Sequence, residues 1–356
     1  MTSPKDMPTE KKTAPPLGQV FAPKDIRLGL TQAESINFPL RWGIMGTGEI
    51  ARQFVSAARE CPGATMSGVS SRSTDNAHAF AEAHAVEKAY SSYEEMAAAP
   101  DIDIVYVGTP GGVHKEHSIM ALNAGKHVLC EKELTDSVAD AEEMYAAAAE
   151  RNVMLQDGVW TRFFPAVEHA RHLIEEGAIG DVMMVQSTFS LVYTLQAVTL
   201  AYREAKPTSI KVTGNSRIGA GGAMLEFEGN RFAIVVSPPF PSEFSELSEF
   251  VGTKGRITLE EPAHCPTGLT VRIPPVTPSR YMNGNTPSPL QRFEYPLPDS
   301  IRMPRPFPNQ QGFIYMVEAI HRCLAAGILE CPQFNKAESL HLLEMISSVN
   351  SLRAGN

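Results

Sequence analysis

Apolar and polar positions alternate in two different ways along the chain. From Leu40 to about Gly158, short apolar runs of strand length alternate with stretches in which apolar residues recur at helical spacing. In order, the strand and helix segments are LRWGIMG and EIARQFVSAARE, ATMSGVSS and TDNAHAFAEAH, DIVYVGTP and VHKEHSIMALNAG, HVLCEKE and SVADAEEMYAAAAERN, and finally VMLQDG. This alternation is typical of βαβ units, so we expect an α/β domain with a doubly wound parallel sheet over residues 39–158.

The pattern changes beyond Phe189, where the apolar runs become longer, more β-branched and separated by turn residues. They are TSIKVTGN, GAMLEFEGN, RFAIVVSPP, SEFVGTKGRITLEEP and TGLTVRIP. We therefore predict a second domain, residues 159–356, of α+β type with a large, mostly antiparallel sheet. Residues 312–352 have a helical pattern, and it stays open whether they pack back on the first domain. Residues 1–38 are rich in Pro, Lys, Ser and Thr and are predicted to be a disordered tail.

The composition of the chain limits the kinds of molecule that it is expected to bind. The chain of 356 residues is 43% hydrophobic and carries a formal net charge of −9, which argues against nucleic-acid binding. No apolar run is long enough to cross a membrane, and the N-terminal residues resemble neither a signal nor a transit peptide. The five cysteines are scattered and never form a CxxC pair, so we expect reduced thiols and no metal site. These features favour a cytoplasmic protein that acts on a small molecule.

A glycine-rich turn follows the first strand. Gly46, Thr47, Gly48, Glu49, Ile50 and Ala51 form a G-x-G-x-x-A sequence that opens a helix. In a Rossmann domain the first glycine makes the tight turn, the second lets the backbone approach a pyrophosphate, and the small third residue permits close packing of helix and strand. The pyrophosphate then lies at the helix N-terminus, where free N–H groups favour an anion. The motif predicts a dinucleotide site, the alternative being a simple tight turn.

The end of the second strand indicates which dinucleotide is bound. An NAD site usually has an acidic residue there that binds the ribose 2′-hydroxyl, whereas this chain has Ser70, Ser71, Arg72 and Ser73. Arg72 could pair with a 2′-phosphate, and Ser71 could donate a hydrogen bond to it. We therefore expect NADP, the alternative being that Arg72 is an ordinary exposed arginine in a loop.

The strand DIVYVGTP, the fourth strand if a short one precedes it, ends in Thr109 and Pro110, followed by two glycines and His114. Proline and glycine stop the strand sharply and bring the backbone close to a ligand in the crevice. His114 and His117 have a spacing that would permit metal ligation, but no third ligand is near in the sequence. We expect no metal and assign His114 to the lining of the nicotinamide site.

Taken together, GxGxxA after the first strand, SR after the second, TPxxxH after the fourth and EK after the fifth resemble the Gfo/Idh/MocA family of NAD(P)-dependent oxidoreductases. The resemblance covers about residue 40 to the C-terminus, and the stretch WTRFFP is its most discriminating part. It implies NADP-dependent oxidation of a secondary alcohol, in a trans-dihydrodiol or in an aldose such as D-xylose. The partners would be the diol or sugar substrate and, through the outer face of the second sheet, a second copy of the chain in a homodimer.

The resemblance also implies roles for particular residues. The catalytic lysine of the family falls on Lys132, Glu131 would lie on the cofactor side, and LVYTLQ aligns the catalytic tyrosine with Tyr193. We expect Tyr193 to be the general acid/base and Lys132 its electrostatic partner. The alternatives are a solvated strand end for the lysine and core packing for the tyrosine.

The chain departs from the family pattern near both residues. The loop, glycine pair and aspartate that usually precede the tyrosine are missing, with Phe189 at the place of the aspartate, and Glu133 replaces the usual proline. A second hypothesis is therefore an NADP-binding regulator without turnover. A third is that alternative splicing or a faulty gene model removed the segment.

Three residues after the strand VMLQDG are candidates for substrate contacts. Trp160, Arg162 and Phe163 follow a strand that ends at the same crevice, and aromatic rings suit an aromatic diol or a sugar face. Aromatic residues at a strand end are equally common in a protein core, so both interpretations stay open.

Overall fold

The computed structural model describes residues 38–215, 220–239, 243–274, 288–304 and 307–354. They form two compact units, of which the first comprises residues 38–164 and 297–348 and the second comprises residues 165–296 and 349–354. The predicted fold class is confirmed, because a parallel sheet is followed by a mostly antiparallel one. The predicted tail, except for Phe38, lies outside the described residues.

The first unit contains a six-stranded sheet in the order β3-β2-β1-β4-β5-β6, with all neighbouring strands parallel. This is the strand order of the Rossmann fold. Its strands are β1 Leu40–Met45, β2 Ala64–Ser70, β3 Lys88–Tyr90, β4 Ile104–Val107, β5 His127–Glu131 and β6 Leu155–Gly158. Its connecting helices are α1 Glu49–Ala58, α2 Thr74–Ala83, α3 Tyr93–Ala98, α4 His114–Asn123 and α5 Val138–Arg151.

The central strands are apolar along their whole length because both faces of the sheet are covered. All four residues of β4 are buried, and so are Val128, Leu129 and Cys130 of β5. Continuous apolar runs of this kind are typical of parallel strands between two helical layers. The carboxyl ends of all six strands therefore lie at one edge of the sheet, where the polar residues of the connecting loops collect.

Serine residues begin three of the connecting helices. The side chains of Ser73, Ser92 and Ser137 accept hydrogen bonds from backbone N–H groups three residues later, at the starts of α2, α3 and α5. Such caps satisfy N–H groups that have no partner within the helix. Helix α1 has no side-chain cap, since Gly48 occupies the cap position.

Two C-terminal helices contribute to the first unit. They are α8 Phe313–Ala325 and α9 Lys336–Ala354, and residues 336–348 of α9 belong to this unit. The indole nitrogen of Trp42 on β1 lies 3.1 Å from Nε2 of His321 on α8, and the two rings stack. Phe313 of α8 packs edge-on against Phe54 of α1. The chain thus returns to cover the first sheet after it has formed the second.

The second unit contains an eight-stranded sheet in the order β14-β13-β12-β11-β7-β10-β9-β8. Strands β7 and β10 are parallel, and the other neighbours run antiparallel. The strands are β7 Val182–Thr188, β8 Ser209–Asn215, β9 Ala220–Phe227, β10 Arg231–Ser237, β11 Ser248–Gly252, β12 Arg256–Leu259, β13 Gly268–Arg272 and β14 Leu290–Glu294. The helices are α6 Pro165–Glu175 and α7 Leu191–Tyr202.

The two faces of this sheet differ. Side chains that point to one face, such as Val185, Val235 and Phe250, are buried, and helices α6 and α7 pack on the sheet. Those on the other face alternate with them and are more accessible, and Met224 and Val236 are each 40% exposed. The period of two residues along each strand produces this difference. The second sheet therefore has one open face that is rich in apolar side chains.

Candidate functional site

The turn between β1 and α1 has the backbone geometry that a glycine requires. Gly46 has φ of 97°, and a Cβ atom at this position would lie 2.8 Å from the carbonyl oxygen of Gly108 at the end of β4. Gly48 begins α1, and a Cβ atom there would meet no atom within 4 Å. The first glycine is therefore required by close packing of two strand ends. The second leaves the N-terminus of the helix open to an anion.

A groove of about 710 Å³ runs along the carboxyl edge of the first sheet. It is lined by residues from the ends of β1, β2 and β4 and from the starts of α1, α2 and α3. The lining includes nine of the residues predicted from the sequence to bind the cofactor, namely Gly46, Thr47, Gly48, Glu49, Ile50, Ser71, Arg72, Thr109 and Pro110. Ala51 is fully buried behind the turn, where a small side chain fits. The structure thus brings together three loops that are far apart in the sequence.

Four further groove residues were not among the predicted site residues. They are Ser73, Asn76, Tyr93 and Gly108. Ser73 and Gly108 adjoin predicted residues, so extending each motif by one position would have found them. Asn76 lies one helical turn after Ser73, the capping residue of α2, so helix periodicity places it on the same side of the helix as the predicted loop. Tyr93 carries no such signal, because it enters the groove from α3 only through the packing of the fold.

The loop after β2 is polar and contains an accessible cation. Ser71 Oγ lies 3.4 Å from the Thr47 hydroxyl, which donates to it, and the Arg72 side chain is exposed. Within the described parts of the chain, the Arg72 guanidinium forms no ion pair with a carboxylate. Arg72 is therefore available to a ligand anion.

His114 connects the ends of two strands. Its side chain is 2% exposed, and its Nε2 and Nδ1 atoms lie 2.8 Å and 2.9 Å from the carbonyl oxygens of Thr109 and Glu133. Both carbonyls are acceptors, so a neutral imidazole can donate to only one of them at a time. The ring holds the segment after β4 against the segment after β5. Its predicted contact with the cofactor stays a prediction.

The end of β5 places charged groups at the carboxyl edge of the sheet. Glu131 is buried, and its carboxylate accepts hydrogen bonds from the Tyr106 hydroxyl at 2.8 Å and from the Lys132 backbone N–H at 3.2 Å. Burial raises the pKa of Glu131, and the hydrogen bond from Tyr106 and the Lys132 ammonium partly oppose that rise. Lys132 itself is partly exposed, and its peptide bond to Glu133 is cis.

Glu133, which replaces the proline of the family pattern, changes the charge next to the lysine. Burial raises the pKa of Glu133, and the charge of the neighbouring Lys132 opposes only part of this rise. The lysine thus lies between two partly desolvated carboxyl groups. Its charge opposes the rise in the pKa of both Glu131 and Glu133.

The residues predicted to contact substrate form a short 3-10 turn, Trp160–Phe163, directly after β6. Trp160 stacks on Phe313, with ring centroids 4.6 Å apart, and Arg162 donates to the Glu338 carboxylate at 3.0 Å. The exposed fractions of Trp160, Arg162 and Phe163 are 3%, 0% and 2%, respectively. These side chains therefore pack within the first unit, and their contact with a substrate stays a prediction.

Tyr193 belongs to the second unit and lies in the first turn of α7, five residues after the end of β7. Its ring packs against Phe189 and His264, with centroid separations of 5.3 Å and 5.2 Å. His264 is in turn held by Glu246, whose Oε1 lies 2.6 Å from Nδ1. The direct step from β7 into α7 agrees with the short connection expected from the sequence. His264 and Glu246 belong to no recognisable sequence motif, so the sequence did not predict that His264 packs against Tyr193.

The described residues contain neither a helix suited to span a membrane nor a side-chain cluster suited to bind a metal ion. None of the helices in the described ranges is both long and apolar enough to cross a lipid bilayer. Likewise, no cluster of three or more His, Cys, Asp or Glu side chains in this part of the chain is arranged to hold a metal ion.

Comparison with known proteins agrees with the architecture of the groove. Residues 40–159 match the Gfo/Idh/MocA family, described as an oxidoreductase family with an NAD-binding Rossmann fold. The chain is 33% identical over 340 residues to the trans-1,2-dihydrobenzene-1,2-diol dehydrogenase of Danio rerio, covering 86% of this chain and 95% of the relative.

Two solved structures have the same fold at low sequence identity. Levoglucosan dehydrogenase in complex with NADH and levoglucosan superimposes with a TM-score of 0.74 at 18% identity, over 89% of this chain and 98% of that one. KijD10, a 3-ketoreductase from Actinomadura kijaniata in complex with NADP, superimposes with a TM-score of 0.69 at 23% identity, over 88% and 97% of the two chains. Together with the sequence relatives, the glycine turn and the strand order, these matches show that the chain belongs to the Gfo/Idh/MocA family of oxidoreductases with an NAD(P)-binding Rossmann fold.

Proposed function

We propose that the protein is an NADP-dependent dehydrogenase that oxidises a secondary alcohol of a trans-dihydrodiol, or of an aldose such as D-xylose. The observation that supports this proposal most is the groove of the first unit, which combines the glycine turn with an accessible arginine at the end of β2. The relatives at about 30% identity are named as dihydrodiol dehydrogenases, which supports the class of substrate.

The residues of the groove fit a phosphorylated dinucleotide. Gly48 leaves the start of α1 open to a pyrophosphate, because no atom lies within 4 Å of the position of a Cβ atom there. Gly46 permits the tight turn before it, since a Cβ atom on Gly46 would collide with the carbonyl oxygen of Gly108. Arg72, with Ser71, would bind a ribose 2′-phosphate through charge-assisted hydrogen bonds. The loop has no carboxylate at the position where an NAD site usually has one. Thr109, Pro110, His114 and Glu131 are proposed to border the nicotinamide end.

The reaction requires the removal of a hydride and a proton from the alcohol. NADP, held by the groove residues around Gly46, Gly48 and Arg72, would supply the acceptor for the hydride of the carbinol carbon. Tyr193, as the phenolate that the Lys132 ammonium would favour, is proposed to accept the hydroxyl proton as the carbonyl bond forms, and it thereby becomes the neutral phenol. Lys132 is proposed to stabilise the negative charge on the oxygen atoms during this transfer by electrostatic attraction. Trp160, Arg162 and Phe163 are proposed to border the substrate.

The test is a comparison of turnover in four single variants of the full chain. Purified protein is mixed with NADP and a panel of trans-dihydrodiols and aldoses, including D-xylose, and the absorbance of reduced nicotinamide is followed. We expect Tyr193→Phe and Lys132→Met to reduce kcat by about 100-fold or more, as expected when a general acid/base or its charged partner is removed.

Two matched variants serve as controls for this experiment. Tyr202→Phe removes a hydroxyl from the same helix, one that donates to the Phe232 carbonyl at 2.9 Å. Lys115→Met removes a cation from the first unit that is paired with Asp140 and Glu143. Both controls should retain most of the activity. An equal loss of turnover in the control and test variants would contradict the roles assigned to Tyr193 and Lys132.

The alternative is an NADP-binding regulator without turnover. It is favoured by the direct connection from β7 to α7, which leaves no room for the loop that precedes the tyrosine in the family pattern. Binding of NADPH with no reduction of NADP across the whole panel would support this alternative and defeat the enzyme proposal.

We also propose that the protein forms a homodimer through the open face of the second sheet. Met224 of β9 lies opposite Ile234 of β10, and Met184 of β7 lies opposite both Phe232 of β10 and Val251 of β11. Ion pairs lie on the same sheet on both sides of β7 and β10, between Arg256 of β12 and Glu249 of β11 and between Lys211 of β8 and Glu226 of β9. An apolar centre with a polar border is typical of a protein interface.

A further inference from the structure

Three loops of the second unit meet where Tyr193 lies. Tyr193 follows the end of β7, and the start of β11, the end of β12 and the start of β13 lie at the same edge of the second sheet, because these strands pair in the order β13-β12-β11-β7. The hydroxyl oxygens of Ser187 on β7 and Ser248 on β11 are 2.8 Å apart at this edge. The loops before β11 and after β12 therefore lie next to the segment that carries Tyr193.

His264, in the loop between β12 and β13, packs against Tyr193. Its ring stacks on Phe189, with centroids 4.5 Å apart and an angle of 17° between the planes, and its centroid lies 5.2 Å from that of Tyr193. Phe189 and Tyr193 are 5.3 Å apart, so the three rings form a cluster in which each packs against the other two. Tyr193 stays partly exposed. The three-ring cluster thus orients the phenol and leaves part of it accessible.

Glu246, in the loop before β11, holds the imidazole of His264. Its Oε1 atom accepts hydrogen bonds from the backbone N–H of His264 at 2.7 Å and from the ring Nδ1 at 2.6 Å. A carboxylate only accepts hydrogen bonds, so Nδ1 carries the hydrogen atom. The Nε2 atom lies 3.3 Å from Sγ of Cys265. The ring is therefore held at both nitrogens, and the side chains of His264 and Glu246 are only 10% and 11% exposed.

We propose that His264 and Glu246 are positioning residues for Tyr193. Glu246 fixes the imidazole, and the imidazole and Phe189 together fix the phenol in the orientation that proton transfer requires. A general base acts only when it lies within hydrogen-bond reach of the proton that it accepts. A ring that is fixed before the substrate arrives loses less conformational entropy on the way to the transition state. The inference rests on the proposed function, since it requires Tyr193 to be the general acid/base.

The test measures kcat for the reduction of NADP by the full chain with a diol or aldose of the panel. Glu246→Ala should lower kcat about tenfold, because the imidazole loses the acceptor that orients it. Glu246→Gln should stay within about twofold of the wild type, because the amide oxygen can accept both hydrogen bonds. His264→Gln keeps a side-chain donor for Glu246 but removes the ring, so it should also lower kcat about tenfold. This second variant covers the case of a poorly folded Glu246→Ala.

Two further measurements separate positioning from a general loss of structure. In a Tyr193→Phe background, neither Glu246→Ala nor His264→Gln should lower the residual turnover further, because both act through the phenol. The dissociation constant for NADPH should be the same in all these variants, because the groove residues belong to the first unit and are unchanged.

A spectroscopic measurement reports on the cluster without turnover. Fluorotyrosine is incorporated into the full chain, and the fluorine resonance that is missing from Tyr193→Phe is assigned to Tyr193. Glu246→Ala and His264→Gln should move this resonance towards its position in the denatured chain, because the imidazole against the phenol is displaced or absent. Glu246→Gln should leave the resonance in place.

Glu260→Ala is the matched control. Glu260 directly follows β12, and its carboxylate accepts hydrogen bonds from Arg292 at 2.6 Å and 2.9 Å. The variant therefore removes a carboxylate and its hydrogen bonds from the loop that also carries His264. It should change neither kcat nor the fluorine resonance of Tyr193.

The results distinguish this inference from the proposed function. If the wild type reduces NADP with no substrate of the panel, the proposed function fails and the inference fails with it. If the wild type turns over but Glu246→Ala and His264→Gln keep its kcat, or lower turnover equally in the Tyr193→Phe background, the proposed function stands and the positioning role is wrong. An unchanged fluorine resonance in both variants also overturns the inference.

Discussion

Asp157 shows how strongly burial changes the chemistry of one residue. The side chain lies on β6 and is 2% exposed, and its Oδ2 accepts a hydrogen bond of 2.6 Å from Ser339 on α9. Burial raises the pKa of Asp157 to about 7, the hydrogen bond from Ser339 opposes the rise, and the charges of Glu131 and Glu133 add to it. The carboxyl is therefore largely protonated in the folded protein at mildly acidic pH.

This raised pKa predicts that stability falls as the pH rises. Between about pH 4 and pH 7 the folded chain holds a proton on Asp157 that the unfolded chain has released. The contribution of this proton to the free energy of unfolding is therefore fully present below about pH 4 and is lost as the pH rises through about 7. The loss is at most roughly 4 kcal/mol, since each pKa unit corresponds to about 1.4 kcal/mol. Asp157→Asn should show a smaller fall in the free energy of unfolding over this range, measured by urea denaturation at several pH values.

Asp103 provides a control with the opposite sign. Burial alone would raise the pKa of Asp103, but the hydrogen bonds and charge of Arg41 lower it overall. Its contribution to stability is present at neutral pH and is lost as the pH falls through the folded pKa. Asp103→Asn should therefore be less stable than the wild type at pH 7, with the difference disappearing in acid.

The prediction for Asp157 has a clear contrary outcome. Parallel pH profiles for Asp157→Asn and the wild type would show that Asp157 does not titrate in this range.

At the scale of elements, buried polar contacts join the end of β6 to the residues before and within α9. Gln156 donates from Nε2 to the Phe334 carbonyl at 3.0 Å, and Arg162 pairs with Glu338 at 3.0 Å while its guanidinium lies over the Phe334 ring. The side chains of the ion pair are 0% and 9% exposed. A buried pair of this kind contributes little net stability as a whole, but it is costly to break from one side.

We therefore expect Arg162→Met to destabilise the protein by about 3 kcal/mol or more, because Glu338 remains buried without this cation. The double variant Arg162→Met/Glu338→Leu should be more stable than Arg162→Met alone, since it removes both charges. Chemical denaturation of the wild type, both single variants and the double variant measures the coupling between the two positions. Additive effects of the two single changes would show that the ion pair does not couple β6 to α9.

The elements themselves were largely predictable from the sequence. The strands around the glycine turn have continuous apolar runs, and the strands of the second sheet have long β-branched runs, so their positions follow from local patterns. The short strand β3 and the short helix α3 were not among the patterned segments, because three and six residues are too few to establish a period. Tyr93 was missed as a site residue for the same reason.

At the scale of the whole molecule, the open sheet face predicts a homodimer that a single charge should disrupt. Met224 is 40% exposed on that face, on the strand next to the sheet edge, and lies opposite Lys211 on the edge strand β8. Met224→Glu should leave the fold intact, because the new carboxylate lies opposite a lysine across the strands. It should dissociate the dimer, because the charge would be buried in an apolar interface. Light scattering coupled to size-exclusion chromatography measures the mass.

Leu352→Glu is the matched control for this prediction. Leu352 lies on α9 and is 44% exposed, so the substitution adds the same charge at a similarly exposed apolar residue. This variant should retain the mass of the wild type. A monomeric wild type, or a Met224→Glu variant that stays dimeric, would contradict an interface on the open sheet face.

The sequence by itself determined the fold class, the glycine turn and the loops that line the groove, because these depend on local periodicity and on residues that are close along the chain. The tertiary structure decided which distant side chains meet. It brought Tyr93 to His117 and Ser339 to Asp157, and it buried Trp160 and Arg162 against the C-terminal helices. Burial and hydrogen bonding between remote segments set these contacts and the pKa of Asp157, and no local pattern of residues encodes them.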